Sequence, residues 1–237
     1  MPVYNYIAAF CYVIVDWHSH LLHPELAKDF FTKVASRYNG VPNVIYELYN
    51  EPVSQAYEDS RSYDDLGNAE AMKSYWKSLK AYATDMIDAI TAVNDSKPII
   101  LMGCPSWDQR LDLPANDPIE GYDNLMYTMH FYAATHESWL RDVTSNAIDS
   151  GIPVFISECA ATEASGDGRI GVTEWQEYAD WAAAKGISVV CWSISDKTES
   201  CSMLTKEASS EGPWEGDVVK EWGVMARKWL SHPSNEI

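Results

Sequence analysis

Two carboxylates stand where short apolar runs end: Glu51 closes NVIYELYNEP and Glu158 closes PVFISE. A carboxylate in such a place is costly to desolvate unless it is paired or used. Hydrolysis of a glycosidic bond needs a pair of this kind. One carboxyl protonates the leaving oxygen, and the other, ionised, attacks the anomeric carbon. Other polar and aromatic groups recur at the ends of neighbouring runs: Asp16-Trp17-His18-Ser19-His20, Asn50, Ser106-Trp107, His130-Phe131-Tyr132 and Trp192-Ser193-Ile194-Ser195-Asp196-Lys197. Packing explains any one of them alone. Their presence together at all six ends points to one active face, on which Trp17, Trp107, Trp192 and Tyr132 offer flat rings to sugars.

A different chemistry starts from His18-Ser19-His20. A His-x-His after a strand can hold a metal, and His130, His136 and Asp196 could complete such a site in a metal-dependent barrel hydrolase. That reading leaves Asn50-Glu51-Pro52, Glu158 and Trp192 without roles.

The runs that must position these groups are Tyr12–Asp16, Asn43–Asn50, Pro98–Gly103, Leu125–Tyr132, Pro153–Glu158 and Ile187–Ser193. Their nearly continuous apolar character predicts parallel strands covered on both faces. Helical periodicity falls between them, over 24–38, 70–93, 137–150, 173–185 and 216–230. The clearest stripe is Trp76, Leu79, Ala83, Met86/Ile87, Ile90 and Val93. Thr173 and Gln176 have the spacing of a capping box. The stretch 104–123 reads as mostly loop, and the acidic 53–69 segment (with YEDSRSYDD) as a solvated face. Repeated strand–helix units give a doubly wound sheet or a (β/α)8 barrel, both with functional loops at the carboxyl ends of the strands. Six strands are countable where a closed barrel needs eight. Without linker, repeat or low-complexity tract, residues 1–237 read as a single domain with no separate carbohydrate-binding module.

The 237 residues carry a net charge of −18 and 46% hydrophobic residues. So acidic a chain repels polyanions, which excludes nucleic acid and anionic membrane surfaces as partners and leaves a neutral polysaccharide open. No apolar run reaches the roughly 20 residues needed to span a bilayer. The start, MPVYNYIAAF, lacks the charged region and cleavage site of a signal peptide. The five cysteines show no CxxC spacing and read as mostly buried small hydrophobes.

The segments VIVDWHSH (13–20), PNVIYELYNEP (42–52), PSW (105–107), YTMHFYAATH (127–136), PVFISE (153–158) and CWSISDKTES (191–200) together resemble glycoside hydrolase family 5, specifically its bacterial endo-β-1,4-glucanases. The resemblance implies a TIM (β/α)8-type barrel, here partial with about six β/α units, and a retaining mechanism through a covalent glycosyl-enzyme. It implies Glu51 as general acid/base and Glu158 as nucleophile. It further implies that Asn50 binds the 2-hydroxyl of the cleaved sugar, that Tyr132 and His130 flank the carboxylates, and that His18 and His20 line the same subsite. Trp192 matches the sugar platform there, Lys197 and Glu199 match groups farther toward the non-reducing end, and Trp107 matches the aromatic on the leaving-group side. No metal or organic cofactor is implied. A polymeric β-glucan substrate implies secretion.

Three departures from the family pattern stand out. Cys159-Ala160 follow the nucleophile where an aromatic residue and glycine are usual. The 53–69 segment is long. The family's first two strands, with their arginine, have no counterpart before Cys11, which predicts a chain short of two β/α units whose open edges associate with a second copy, unless MPVYNYIAAF patches them. That shortening carries an alternative reading: a carbohydrate-binding protein with little turnover.

Overall fold

The computed structural model describes residues 11–231. MPVYNYIAAF, and with it the expected patch, lies outside the described residues. Six parallel strands follow one another in the order β1-β2-β3-β4-β5-β6, and helices fill the crossovers that parallel pairing requires. This is the α/β alternation that the apolar runs predict. The chain divides into two compact units, one reaching Met129 and taking in Asn146–Val154, the other holding His130–Ser145 and the chain from Phe155.

In the first unit, β1 (Val13–Asp16) pairs with β2 (Val44–Glu47), β2 with β3 (Ile100–Met102), and β3 with the start of β4 (Leu125–Tyr132). All four residues of β2 are buried, whereas β1, at the end of the strand order, is half-buried throughout. Helix α1 (Pro24–Arg37) brings Phe31 against Tyr46, with ring centroids 6.3 Å apart. The short α2 (Gln55–Ser60) leads to α3 (Ala69–Thr91), whose stripe of Trp76, Leu79, Ala83, Met86, Ile87 and Ile90 is fully buried as the periodicity predicts. Its Leu, Ile and Met side chains each contribute roughly 1.5–3 kcal/mol by leaving water. Asn68 caps α3 by accepting from the Glu70 and Ala71 N–H groups. The 104–123 stretch is more ordered than its sequence suggests. It holds a left-handed turn over Pro105–Asp108 and the short α4 (Asp112–Asn116).

The second unit is built on the end of β4, most of β5 (Val154–Ala160) and β6 (Val189–Cys191), with α6 (Val172–Lys185) and α7 (Glu221–Leu230); α5 (Ser138–Asp149) is shared by both units. Its core is aromatic. Phe131 stacks on Tyr178 at 3.9 Å, and Trp222 meets Trp175 edge-on at 4.6 Å.

Two local expectations are corrected. Thr173 does not cap α6. The helix starts one residue earlier, at Val172, behind Gly171, which has no capping side chain. A Cβ at Gly171 would sit a tight 3.2 Å from the Ala134 Cα, and the Gly171 N–H donates to the Ala161 carbonyl at 2.7 Å. The 216–230 pattern is broken between a 3-10 turn (Gly216–Val218) and α7, because Val219 forms an antiparallel bridge with Leu204. No disulfide forms among the described residues. Cys104, Cys159 and Cys201 are buried, as their reading as small hydrophobes predicts, Cys191 is half-buried and Cys11 is exposed.

Candidate active site

Parallel pairing continues past the ends of β1 and β2: Trp17 N–H donates to the Glu47 carbonyl (3.0 Å), and the Asn50 N–H donates back to the Trp17 carbonyl (3.2 Å). Asn50 is thereby buried beside the first strand end. Trp17 is half-buried and packs on one side against α1. It lies 5.5 Å from Phe30 of α1, and its Nε1–H donates to the Leu22 carbonyl. His18 is exposed and its Nδ1 lies 2.8 Å from Asp16 Oδ2, while His20, also exposed, has its ring 6.3 Å from that of His18. Among the described residues His18 and His20 join no third ligating side chain in a metal-sized group.

Glu51 follows in the left-handed region at φ 51°, a conformation costing a non-glycine residue roughly 1–3 kcal/mol unless its surroundings impose it. Here they do. The fully buried Asp108 carboxylate accepts from the Glu51 N–H at 3.1 Å through Oδ2 and from the Cys104 N–H at 2.5 Å through Oδ1. One side chain thus ties the end of β2 to the end of β3. Asp108 reaches there because Ser106, Trp107 and Asp108 are all left-handed, at φ 58°, 54° and 61°. The same turn presents Trp107, half-buried, against Tyr63 at 5.8 Å.

Gly103 makes this junction possible. A Cβ on it would fall 2.4 Å from the Tyr49 carbonyl oxygen and 2.8 Å from Asp108 Oδ1. Both neighbours are held in place, the first by backbone and the second by two hydrogen bonds. Gly103→Ala is therefore expected to lower stability by about 2–4 kcal/mol, the scale of overpacking a core compounded by a strained polar contact. Thermal melts check this; a melting temperature equal to the parent's overturns it.

The second unit contributes the other cluster. His130 and Tyr132 are two residues apart on β4, so they project from the same face of the strand. His130 Nε2 lies 2.9 Å from Ser157 Oγ on β5. The Tyr132 phenol donates to Glu158 Oε1 at 2.6 Å. Glu158 is 7% exposed. It sits inside β5, which runs two residues past it, and does not end the strand as its sequence suggests. His136 is used structurally: its Nδ1 accepts from the Tyr132 N–H at 2.8 Å, which fixes the backbone that carries the phenol.

At the end of β6, Trp192 N–H donates to the Cys159 carbonyl at 2.7 Å, and the Trp192 carbonyl accepts from Trp222 Nε1 at 2.6 Å. Trp192 is half-buried. Its backbone is therefore held from β5 on one side and α7 on the other. Beyond it, Lys197 Nζ and Glu199 Oε1 are 3.5 Å apart, and Lys220 pins their loop from behind by donating to both carbonyls, at 2.6 and 3.2 Å. Burial pushes the Cys159 thiol well above its ordinary range, and it donates to the Val190 carbonyl (3.3 Å). A protonated, hydrogen-bonded thiol thus fills the place next to Glu158. The arginines of this unit are engaged elsewhere: Arg141 with Glu177, Arg169 with Glu174 and Arg227 with the Trp214 carbonyl.

Residues 3–198 match the family description Cellulase (glycosyl hydrolase family 5). The chain belongs to glycosyl hydrolase family 5. It is 35% identical over 222 residues to an endoglucanase of Clostridium saccharobutylicum, covering 92% of this chain and 45% of that protein. The chain spans about half the length of the curated relatives it matches. Among solved structures, one from Cytophaga hutchinsonii superposes with a TM-score of 0.85 at 32% identity, over 99% of this chain and 71% of that one. The catalytic domain of Thermobifida fusca endoglucanase Cel5A, in complex with cellotetraose, does so with a TM-score of 0.78 at 29% identity, over 93% and 70%. The six β/α units are therefore of the family 5 barrel type.

Within that family 5 framework, reading the sequence finds the strand-end groups and misses their supports. Asp108, Gly103, Ser157 and Lys220 carry no local signature; each becomes visible only through a neighbour distant in the chain. His136 appears in the sequence as a candidate metal ligand and proves to be a backbone support for Tyr132. The 53–69 segment, read as a solvated face, is anchored. Glu58 Oε1 accepts from the Tyr49 and Tyr75 hydroxyls, at 2.6 and 2.7 Å, and its Oε2 accepts from the Leu22 N–H. Burial above all pushes both phenols far above their ordinary range, with Glu58 adding to it for Tyr49 and first Tyr49, then Glu58, for Tyr75, so they stay protonated donors.

Proposed function

We propose that the protein is a retaining endo-β-1,4-glucanase catalytic region acting on cellulose or related β-glucans. The observation that carries the reading is Glu158, nearly buried and bound by the Tyr132 phenol at 2.6 Å. A buried carboxylate held by a hydrogen bond is oriented for attack, and the same phenol is poised to follow the charge as it leaves the carboxylate. Glu51, half-buried and clamped through its backbone by Asp108, supplies the proton to the leaving oxygen and later takes one from water. The first displacement forms the bond between Glu158 and the anomeric carbon and breaks the bond to the leaving alcohol, which takes the Glu51 proton. Water then attacks the same carbon, gives its proton to Glu51 and releases Glu158. Two inversions leave the configuration retained.

Asn50, buried against the first strand end, binds the 2-hydroxyl. His130, His18 and His20 line the subsite of the cleaved sugar, with Trp192 as its platform. Lys197 and Glu199 hold sugars toward the non-reducing end, and Trp107 receives the leaving group. Membership of family 5, the endoglucanase relatives and the cellotetraose bound by the Thermobifida fusca relative support a neutral β-glucan substrate. An acidic chain has no electrostatic objection to it.

Proton NMR of fresh cellopentaose digests tests the reading. The β anomer is expected to form first and to mutarotate later, alongside a fall in the viscosity of hydroxyethylcellulose. Initial release of the α anomer, or no glucan cleavage at all, overturns it.

A further inference from the structure

We infer that the 53–69 segment is a second part of the substrate-binding surface, a ledge that carries neutral glucan rings beyond Trp107 on the leaving-group side. This rests on the glucanase reading and adds residues that the strand-end pattern does not include. The observation is a continuous ladder of flat groups: the Arg61 guanidinium lies 4.8 Å over the Tyr57 ring, Tyr57 stacks on Tyr63 at 5.3 Å and 27°, and Tyr63 meets Trp107 at 5.8 Å. A solvated loop has no reason to line up three aromatic rings and end them on a candidate sugar platform. Tyr63 is 54% exposed, so the ring next to Trp107 is open to a ligand from solvent. Its phenol also offers a donor and acceptor to sugar hydroxyls.

The ledge is held rigid from beneath. Ser54 Oγ accepts from the Tyr57 N–H at 3.2 Å, Asp65 Oδ2 accepts from the Ala56 N–H at 3.0 Å, and Arg61 donates to the His20 carbonyl at 2.9 Å. Glu58, on the inner side of α2, is fixed by two tyrosine hydroxyls. Rings fixed before binding lose little freedom when a chain settles on them, which is how an exposed aromatic surface gains useful affinity. The neighbouring Asp59 and Asp64 leave an acidic rim that admits neutral chains and repels uronate-bearing ones.

Calorimetric binding of cellotriose through cellohexaose to the Glu158→Gln protein, with and without Tyr63→Ala, is the test. In the parent, affinity is expected to rise with chain length. In Tyr63→Ala the last step of that rise is expected to shrink by roughly fivefold to tenfold, the scale of one aromatic contact, while cellotriose binds equally well. Tyr63→Trp should restore the step, which separates a lost platform from a disturbed loop. An unchanged length dependence in Tyr63→Ala overturns the ledge and leaves the glucanase reading standing. A parent that binds no cello-oligosaccharide of any length overturns both.

Discussion

Glu158→Gln is expected to lower kcat on cello-oligosaccharides by at least about a thousandfold, with affinity within a few-fold of the parent. The amide keeps the shape of the carboxylate and can still accept from the Tyr132 hydroxyl, so binding survives. What disappears is the charged oxygen that must bond to the anomeric carbon. Glu51→Gln should be comparably damaging for a different reason: its backbone clamp to Asp108 persists, but the proton for the leaving oxygen is gone. Azide separates the two roles. With Glu158→Ala, azide enters from the vacated side while Glu51 still protonates the leaving alcohol, and a single displacement gives the α-glycosyl azide. With Glu51→Ala and an activated leaving group, azide attacks the glycosyl-enzyme, and the product is the β-glycosyl azide. Product NMR reads the difference directly. Parent-like turnover in either Gln variant, or the two azides exchanged, means the roles are misassigned.

Asp108→Ala carries the second-largest expectation. It strips the acceptor from the Glu51 and Cys104 N–H groups together, at a carboxylate that is itself fully buried. At about 1–3 kcal/mol for each unsatisfied group, and roughly 2–4 °C per kcal/mol at this chain length, the melting temperature should fall by about 5–20 °C. Catalysis should fall too, because Asp108 holds the Glu51 amide in its left-handed backbone conformation, and a general acid displaced by 1 Å loses about a hundredfold. The effect should appear in kcat more than in KM. Asp108→Asn, retaining one acceptor, should recover part of both. A melting temperature that falls while kcat, measured well below the melt, stays put would make Asp108 a structural residue only.

Much of the fold and of the site is legible in the sequence. The six strands lie where β-branched apolar runs lie, because a strand covered on both faces has to be apolar along its length. The long stripe from Trp76 to Ile90 forms its helix because burial on one side demands that spacing. Glu51 and Glu158 stood out because a carboxylate closing an apolar run is costly without a purpose. Local patterns failed where a distant neighbour overruled them. The Thr173–Gln176 capping box gives way because the helix already starts at Val172, behind Gly171, whose N–H is held by the Ala161 carbonyl from another part of the chain. Acidic 53–69 looks solvated because hydrophilicity is a property of the residue, whereas the partners of Glu58 are Tyr49 and Tyr75 on other elements.

Asp108 marks the boundary most clearly. In sequence it is one of many aspartates, 57 residues from the Glu51 amide that it binds. Which side chains can do chemistry follows from residue type and strand position, which are local and written in the chain. Which backbone holds them, in what conformation and against what cost, depends on unpaired N–H groups meeting acceptors brought from far along the chain, and only the folded packing of β2, β3 and the loop after them makes that meeting.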